Sequence, residues 1–267
     1  MSLRQRTGTA AALLALLFVV LQFGPPWLML VLLELFVVGA LVEFYGLAER
    51  RNLKPRKALG VVIALLIGLS FVRPDITLGH ALTAALLVTA FVYVLRITTL
   101  EQLPAFVGSV TVTFFGALYV AFPLHYLYWL RLEKGPYALY FLFGIIFLGD
   151  TGAYFIGAPF GRHKMTPVAS PKKSWEGAVG GIVFACLGAL AARALLFPGL
   201  ALWKALLIGA VVHAAAQASD PFESLFKRAA GVKDSSNLLP GHGGLLDRVD
   251  SFLLAAPLFY YLVKFLW

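Results

Sequence analysis

The sequence predicts an all-α integral membrane protein that crosses the bilayer about nine times. Of its 267 residues, 60% are hydrophobic and only 13% are charged, and the mean hydropathy is +0.86. Ordinary soluble domains do not have such a composition. The apolar residues come in runs of about 20, the length of a helix that crosses the hydrocarbon core. They lack the alternation of barrel strands, so we expect helices and no separate globular domain.

Nine apolar segments follow one another along the chain. The first follows Arg4 and Arg6, as in a signal peptide, but Gly24-Pro25-Pro26 leads directly into the next segment. We therefore expect it to remain as a helix. The third segment is short for a bilayer. The predicted spans are residues 10–23, 27–47, 58–72, 76–95, 106–122, 137–157, 177–197, 203–218 and 251–267.

The basic residues predict the orientation of these spans. Lys and Arg together number 22, and the net charge is +9. If the N-terminus is cytoplasmic, most of them fall in inner loops, above all in the loop at residues 49–57. We therefore predict an N-in, C-out topology in which the polar loops 158–176 and 219–250 face the cytoplasm. The charge suits anionic lipids or solutes, and nucleic acid is not an expected partner because no soluble basic domain is present to bind it.

The first polar loop offers a carboxylate and two lysines. Asp150 lies within or at the end of an apolar span, so its charge needs a partner or a watery cavity, and a structural ion pair is the alternative to function. Ser170-Pro171-Lys172-Lys173 is typical of a helix start with Ser170 as N-cap. Lysines in a first turn are unfavourable beside the positive end of the helix dipole. A bound phosphate would offset this repulsion, so the two lysines and the exposed backbone N–H groups could form a phosphate-binding site. A basic flank of an ordinary membrane helix explains the pattern equally well.

The second polar loop offers three further aspartates. Asp220 ends an apolar span, and with Pro221 and Glu223 it fits a capping box at a helix start. Asp247 and Asp250 are three residues apart, so they should share one face at the start of the last helix. Their alternative role is to stabilise that helix N-terminus. Because the candidate ligands are oxygens without a Cys or His cluster, Mg²⁺ is favoured over zinc.

Glycines and basic residues surround these aspartates. The run Gly241-His242-Gly243-Gly244 can bring backbone amides close to an anion. Lipid-facing flanks are one explanation of the nearby cations, but together with the acids and glycines they are typical of a phosphate- and metal-binding site. These cations are Lys227, Arg228, Lys233 and Arg248.

The stretch from Ser224 to Asp250, SLFKRAAGVKDSSNLLPGHGGLLDRVD, resembles the signature of the phosphatidate cytidylyltransferases, also called CDP-diacylglycerol synthases. That signature reads S-x-h-K-R, four residues, K-D, and then P-x-H-G-G-h-x-D-R-h-D, where h is hydrophobic. DTGAY and SPKKSWEG upstream are also similar, so the resemblance covers about residues 140–267. Two departures flank Asp220: Ser219 stands where the family commonly has Gly, and Pro221 stands where it commonly has an aliphatic residue. The matching residues are Ser224, Lys227, Arg228, Lys233, Asp234, Pro240, His242, Gly243, Gly244, Asp247, Arg248 and Asp250.

The resemblance implies a membrane enzyme of phospholipid biosynthesis. It would transfer a cytidylyl group from CTP to phosphatidic acid and release CDP-diacylglycerol and pyrophosphate. It implies a bacterial inner membrane, a cytoplasmic active site, a Mg²⁺ cofactor with a second cation left open, and a homodimer. Residues 1–135 would supply N-terminal transmembrane helices, and residues 136–267 would form the catalytic region of one integral unit.

The motifs and the resemblance together lead to a hypothesis for the roles of individual residues. Asp220 and Asp247 would bind Mg²⁺, with Asp250 and Asp150 as further ligands or orienting carboxylates. The catalytic group would comprise Asp220, Asp247, Asp250, Lys227 and Arg248. Substrate phosphates would be bound by Ser170, Lys172, Lys173, Arg228, Lys233, His242, Gly243 and Gly244.

Two other functions fit parts of the pattern. A CTP-dependent lipid kinase would use the same nucleotide but release CDP instead of pyrophosphate. A transporter could use Asp150 and His213, but its charges should be spread along a transmembrane path, whereas these cluster on one side. For His213 we otherwise expect a hydrogen-bonded polar residue inside the membrane.

Overall fold

A computed structural model of the protein describes residues 15, 17–238 and 243–267. In this range the chain is almost entirely helical, with one small β-hairpin. The helices are α1 (Pro26–Glu49), α2 (Lys57–Val72), α3 (Leu78–Arg96), α4 (Leu103–Lys134), α5 (Pro136–Phe160), α6 (Trp175–Leu196), α7 (Leu202–Ala229) and α8 (Leu246–Leu266). A short 3₁₀ turn, Leu100–Gln102, precedes α4, and the hairpin strands are β1 (Lys164–Thr166) and β2 (Ser170–Ser174).

Seven of the described helices are long and apolar enough to cross a membrane, which supports the expected all-α membrane protein. The exception, α2, is apolar but only 16 residues long. Residues 17–23 are also helical and belong to the first predicted span. The count of nine spans and the N-in, C-out orientation stay predictions.

Two helices extend well beyond the spans that hydropathy predicts. α4 contains 32 residues and continues through Pro123, and α7 contains 28 residues and continues through Pro221. Hydropathy marks only the apolar part of a helix, whereas both of these continue into polar sequence. Interior prolines are tolerated in membrane helices because neighbouring groups can satisfy the freed carbonyl.

The described chain divides into two compact units. The first comprises residues 1–128 and 229–249. Its core includes Tyr45 of α1, which is fully buried and donates from its hydroxyl to the Thr113 carbonyl at 2.6 Å. A Cβ on Gly60 would lie 1.9 Å from that hydroxyl, and one on Gly116 would lie 2.6 Å from the ring. Glycine at these two positions therefore lets α2 and α4 approach Tyr45 closely.

The second unit comprises residues 129–228 and 250–267. In it α5 and α6 pack closely, as small residues permit in membrane helices. A Cβ on Gly177 of α6 would lie 3.0 Å from Cα of Gly157 in α5. Elsewhere in this unit Phe141 and Phe259 pack edge to face with centroids 5.5 Å apart.

Candidate functional site

An ion pair lies at the centre of the candidate site in the second unit. Nζ of Lys173, on β2, is 2.7 Å from Oδ2 of Asp220, on α7, and both side chains are about two-thirds covered. Asp150 of α5 is within electrostatic range of both. A cation and two carboxylates thus come from three separate elements of this unit. The sequence predicted all three as site residues.

The local structure around Lys173 differs from the prediction. Ser170–Ser174 is a strand paired antiparallel with β1, so the predicted helix start at Ser170 is wrong. The N-cap of α6 is Ser174, whose Oγ accepts from the Gly177 amide at 3.2 Å. Glu176 in the first turn suits the positive end of the helix dipole. Lys172 and Lys173 consequently extend from a strand, with Lys172 exposed and Lys173 against Asp220.

The local structure around Asp220 also differs from the prediction. α7 continues past Asp220 to Ala229, so a capping box at a new helix start is wrong. Pro221 lies inside the helix and lacks the N–H that would bond the carbonyl four residues earlier. One turn onward, the Ser224 hydroxyl lies 3.3 Å from Oδ1 of Asp220. α7 therefore carries Asp220 and the first residues of the signature on one continuous element.

The two basic residues at the end of α7 have different surroundings. Lys227 is only 7% exposed and forms an ion pair with the fully buried Glu223 one turn earlier. Arg228 is exposed, and its Nε donates to the Ala169 carbonyl just before β2, at 3.3 Å. Arg228 thus links α7 to the hairpin that carries Lys173. That these two cations bind phosphate stays a prediction.

The Ser219 departure from the family pattern has a structural role. Ser219 is fully buried, and its hydroxyl donates to the backbone carbonyl of Asp250 in α8. The Asp250 carboxylate accepts from the Ser251 amide at 2.6 Å. A hydroxyl at position 219 therefore connects α7 to α8 beside a predicted site residue, which glycine could not do.

His213 of α7 is fully buried between α5 and α6. A Cβ on Gly149 would lie 2.3 Å from its ring and one on Gly181 would lie 2.6 Å from it, so two glycines make the room for the imidazole. Within the part of the chain that the structure describes, neither ring nitrogen has a hydrogen-bond partner. The expectation of a hydrogen-bonded histidine is thus not met there.

In the first unit, Asp247 organises the second half of the signature. It lies in the first turn of α8, as predicted. Its Oδ2 accepts from the Ser235 amide at 2.9 Å, the Ser235 hydroxyl at 2.8 Å and the Gly244 amide at 2.8 Å. Gly243 has φ +78°, a conformation that favours glycine. Gly244 has no space for a side chain, since a Cβ would lie 2.0 Å from Ser235 Oγ.

Glu43 of α1 supports the same segment, and the sequence analysis missed it. Its carboxylate accepts from the hydroxyls of Ser235 and Ser236 at 2.9 and 2.6 Å. It also accepts from the amides of Leu245 and Leu246 at 3.0 and 2.8 Å. Glu43 is only 8% exposed. The available signal was an acid inside an apolar span, which is expensive in a membrane unless it has partners.

Other predicted residues of this unit are exposed or undescribed. Lys233 and Arg248 are both exposed. His242 lies outside the described residues. Their predicted contacts with phosphate stay predictions.

The carboxylate oxygens of this region suit a magnesium ion that takes its remaining ligands from substrate phosphates. No group of three or more His, Cys, Asp or Glu side chains is placed to bind a metal in residues 15, 17–238 and 243–267. Asp150 and Asp220 nevertheless supply carboxylate oxygens in one region. Mg²⁺ is commonly bound by one or two carboxylates and takes its remaining ligands from water and phosphates.

Known proteins are similar to this chain over most of its length. The model of the cytidylyltransferase family matches residues 4–266. A phosphatidate cytidylyltransferase of Staphylococcus saprophyticus is 35% identical over 96% of this chain and 97% of its own length. Proteins of the same name match about half of this chain and about half of themselves, from Staphylococcus epidermidis at 45% identity and from Haemophilus influenzae at 40%. The chain is therefore a member of the cytidylyltransferase family.

Proposed function

We propose that this protein transfers the cytidylyl group of CTP to phosphatidic acid, forming CDP-diacylglycerol and pyrophosphate for phospholipid synthesis. Membership of the cytidylyltransferase family supports the nucleotide chemistry. The names of the similar proteins, phosphatidate cytidylyltransferase, support the lipid acceptor. The apolar helices support an acceptor that is itself a membrane lipid.

The observation that carries the proposal is the pairing of Lys173 with Asp220 beside Asp150. The reaction brings together two polyanions, and it needs positive charge near phosphate and carboxylates that bind a cation. Charged side chains on apolar membrane helices are rare, and function is the default hypothesis for them. The twelve matching signature residues, several of which lie on α7 directly after Asp220, point to the same chemistry.

The chemistry requires positioning more than proton transfer. A phosphatidate oxygen attacks the α-phosphorus of CTP, the new P–O bond forms, and the bond to the β-phosphate oxygen breaks to release pyrophosphate. Because the attacking oxygen already carries negative charge, no strong general base is required. The chain's task is to hold both phosphates in line and to offset their charge as the bond forms.

The proposed roles follow the sequence predictions. Asp220 and Asp247 would hold Mg²⁺, with Asp250 and Asp150 as further ligands or orienting groups. When bound, the ion would neutralise phosphate charge and polarise the α-phosphoryl group. Lys172 and Lys173 would bind phosphate from their strand. Further phosphate contacts would come from Ser170, Lys227, Arg228, Lys233, His242, Gly243, Gly244 and Arg248.

Glu43 enters this proposal as a positioning residue. Its hydrogen bonds fix Ser235 and the start of α8, and Ser235 in turn binds Asp247. The backbone amides it binds precede Asp247 directly. Glu43 would therefore set where the Asp247 carboxylate lies without touching substrate itself.

The finer topology belongs to the same proposal. We place the protein in the bacterial inner membrane with nine spans, the N-terminus in the cytoplasm and the C-terminus outside. The polar segments at 158–176 and 219–250 then face cytoplasmic CTP, and most Lys and Arg residues lie on the inner side. We expect a homodimer.

Pyrophosphate release tests the function. Purified protein should release pyrophosphate only when CTP, phosphatidic acid and Mg²⁺ are all present. Omission of phosphatidic acid, or its replacement by diacylglycerol, should abolish release. CDP release with a lipid alcohol as acceptor would identify a CTP-dependent lipid kinase instead.

A further inference from the structure

A cavity of about 970 Å³ in the first unit is lined by the ends of three helices. It lies between the N-terminal part of α2, the C-terminal part of α3 and the beginning of α4. None of the signature residues and none of the Asp150, Lys173 and Asp220 cluster line it. The candidate catalytic residues therefore do not explain it.

The lining has a basic end and apolar walls. The lining includes one acid, Glu101, and four cations, which are Lys54, Arg56, Lys57 and Arg96. Because α2 and α3 are consecutive helices joined by a short turn, the start of α2 and the end of α3 lie at the same end of the pair. The cations are thus concentrated at one end of the cavity.

Apolar residues continue from the basic end along the same helices. They include Val62, one to two turns into α2, and Val88 and Val92, one to two turns before the end of α3. Val62 is 44% exposed, so this wall also opens to the surroundings of the helices. In a membrane that surface faces acyl chains. The cavity therefore has the polarity of a phospholipid, with a charged end at the helix termini and an apolar end at membrane depth.

Arg56 is partly buried at the basic end of the cavity. Its guanidinium lies 5.0 Å above the ring of Tyr93, in cation–π geometry. Its Nε is buried and has no hydrogen-bond partner among the described residues. A buried guanidinium donor without an acceptor is costly. By contrast, Lys57 already has an acid, with Nζ 2.8 Å from Oε2 of Glu49.

We propose that this cavity binds one phospholipid with an anionic headgroup, with the phosphate at Arg56 and Arg96 and the acyl chains along Val62, Val88 and Val92. Basic pockets between transmembrane helices on the cytoplasmic side bind anionic lipids in this manner. A soluble nucleotide would match the cations but not the apolar walls. The site is separate from the proposed catalytic residues and does not depend on them.

Native mass spectrometry of the purified full-length protein tests the site. The probes are phosphatidylglycerol and phosphatidylcholine with identical acyl chains. The wild-type protein should retain one phosphatidylglycerol in preference to phosphatidylcholine. Arg56→Gln and Arg96→Gln should each lower that affinity about fivefold. Arg51→Gln, which changes an exposed cation of the same loop outside the cavity, should leave it unchanged.

A second variant tests the cavity independently of charge. Val88→Trp adds bulk to the apolar wall and should displace the bound lipid while all cations remain. Thermal unfolding checks that each variant is folded, and Arg96→Gln serves if Arg56→Gln does not fold, since Arg96 is exposed. Unchanged lipid binding in Arg96→Gln and Val88→Trp would overturn the proposal, as would an equal loss in Arg51→Gln. Displacement of phosphatidylglycerol by CTP or inorganic phosphate would overturn it in favour of a soluble ligand.

Discussion

Lys173 and Asp220, 47 residues apart in the chain, form an ion pair with Nζ 2.7 Å from Oδ2. The lysine extends from a strand and the aspartate from the middle of a proline-containing helix. Because the pair is partly exposed, its contribution to stability is modest. Under the proposed function its importance is chemical, since Lys173 would bind phosphate and the adjacent Asp220 would bind the metal ion.

Replacement of Lys173 separates the chemical role from the structural one. We expect Lys173→Gln to lower kcat/KM for CTP by about 100-fold or more, because a cation that stabilises phosphate charge is lost. Lys173→Arg should retain part of the activity. Steady-state pyrophosphate release measures both.

The double variant Lys173→Gln/Asp220→Asn supplies the control. It removes both charges, so thermal stability should return towards the wild-type value while activity stays absent. If Lys173→Gln keeps wild-type kcat/KM, the lysine only neutralises Asp220 and the phosphate role is excluded.

Asp247→Asn tests the proposed metal ligand. The amide keeps an oxygen that can accept from Ser235 and Gly244, so the protein should remain folded. We expect Mg²⁺-dependent turnover to fall by at least about 100-fold because one carboxylate charge is lost. Turnover is measured across a magnesium titration, with Ser236→Ala as the matched control, since the Ser236 hydroxyl donates to Glu43 in the same segment and the Asp247 carboxylate is kept. A wild-type magnesium response in Asp247→Asn would contradict the assignment.

Glu43→Ala should destabilise the signature segment. The substitution leaves the Ser236 hydroxyl and two backbone amides without this acceptor, at about 1–3 kcal/mol for each donor that stays buried, whereas the Ser235 hydroxyl keeps Asp247 as its acceptor. We expect a lower unfolding temperature in detergent, faster proteolysis between residues 233 and 246, and reduced kcat.

Glu49→Gln is the matched control for Glu43, since it removes a carboxylate from the same helix. Glu49 is about half exposed and pairs only at the surface with Lys57, so its loss should change stability by less than about 1 kcal/mol. Equal effects of the two substitutions would show that Glu43 has no special role.

Gly244→Ala tests the close packing around Glu43 and Asp247. The added Cβ would lie 2.3 Å from Oε2 of Glu43 and 2.0 Å from Oγ of Ser235, so the segment must move. We expect loss of activity with a measurable drop in thermal stability. Gly46→Ala is the control, because a Cβ there has nothing within 4 Å and alanine favours the helix by up to about 1 kcal/mol. Full activity in Gly244→Ala would refute the packing argument.

The sequence predicted the membrane helices because their signal is the long apolar run itself. It also predicted Asp150 and Asp247 as candidates, because charge is rare in such a chain and stands out. Asp247 at the start of the last helix followed from the apolar run that begins just after it. These are local properties, and each can be read without knowledge of the fold.

The errors at Ser170 and Asp220 arose where one local pattern fits two structures. Ser170 and Ser174 are both possible N-caps, and Glu176 in the first turn favours Ser174, where α6 does begin. Asp220-Pro221 fits a helix start and equally a proline inside a membrane helix. The sequence could not decide between these, because the neighbouring elements that stabilise each arrangement are distant in the chain.

Glu43 could not be assigned for a different reason. Its partners Ser235 and Leu246 follow it by 192 and 203 residues. Hydropathy identifies an acid in an apolar helix but cannot name what it binds. Only the folded chain shows that this carboxylate binds the signature segment.

The phosphorus atom of CTP that reaches the lipid distinguishes a cytidylyltransferase from a kinase. Purified protein is incubated with phosphatidic acid, Mg²⁺ and CTP labelled at either the α- or the γ-phosphorus, and the lipid fraction is analysed. A cytidylyltransferase transfers the α-label into a CDP-lipid and releases the γ-label as pyrophosphate. Transfer of the γ-label to lipid, with the α-label left in CDP, would contradict the proposed reaction.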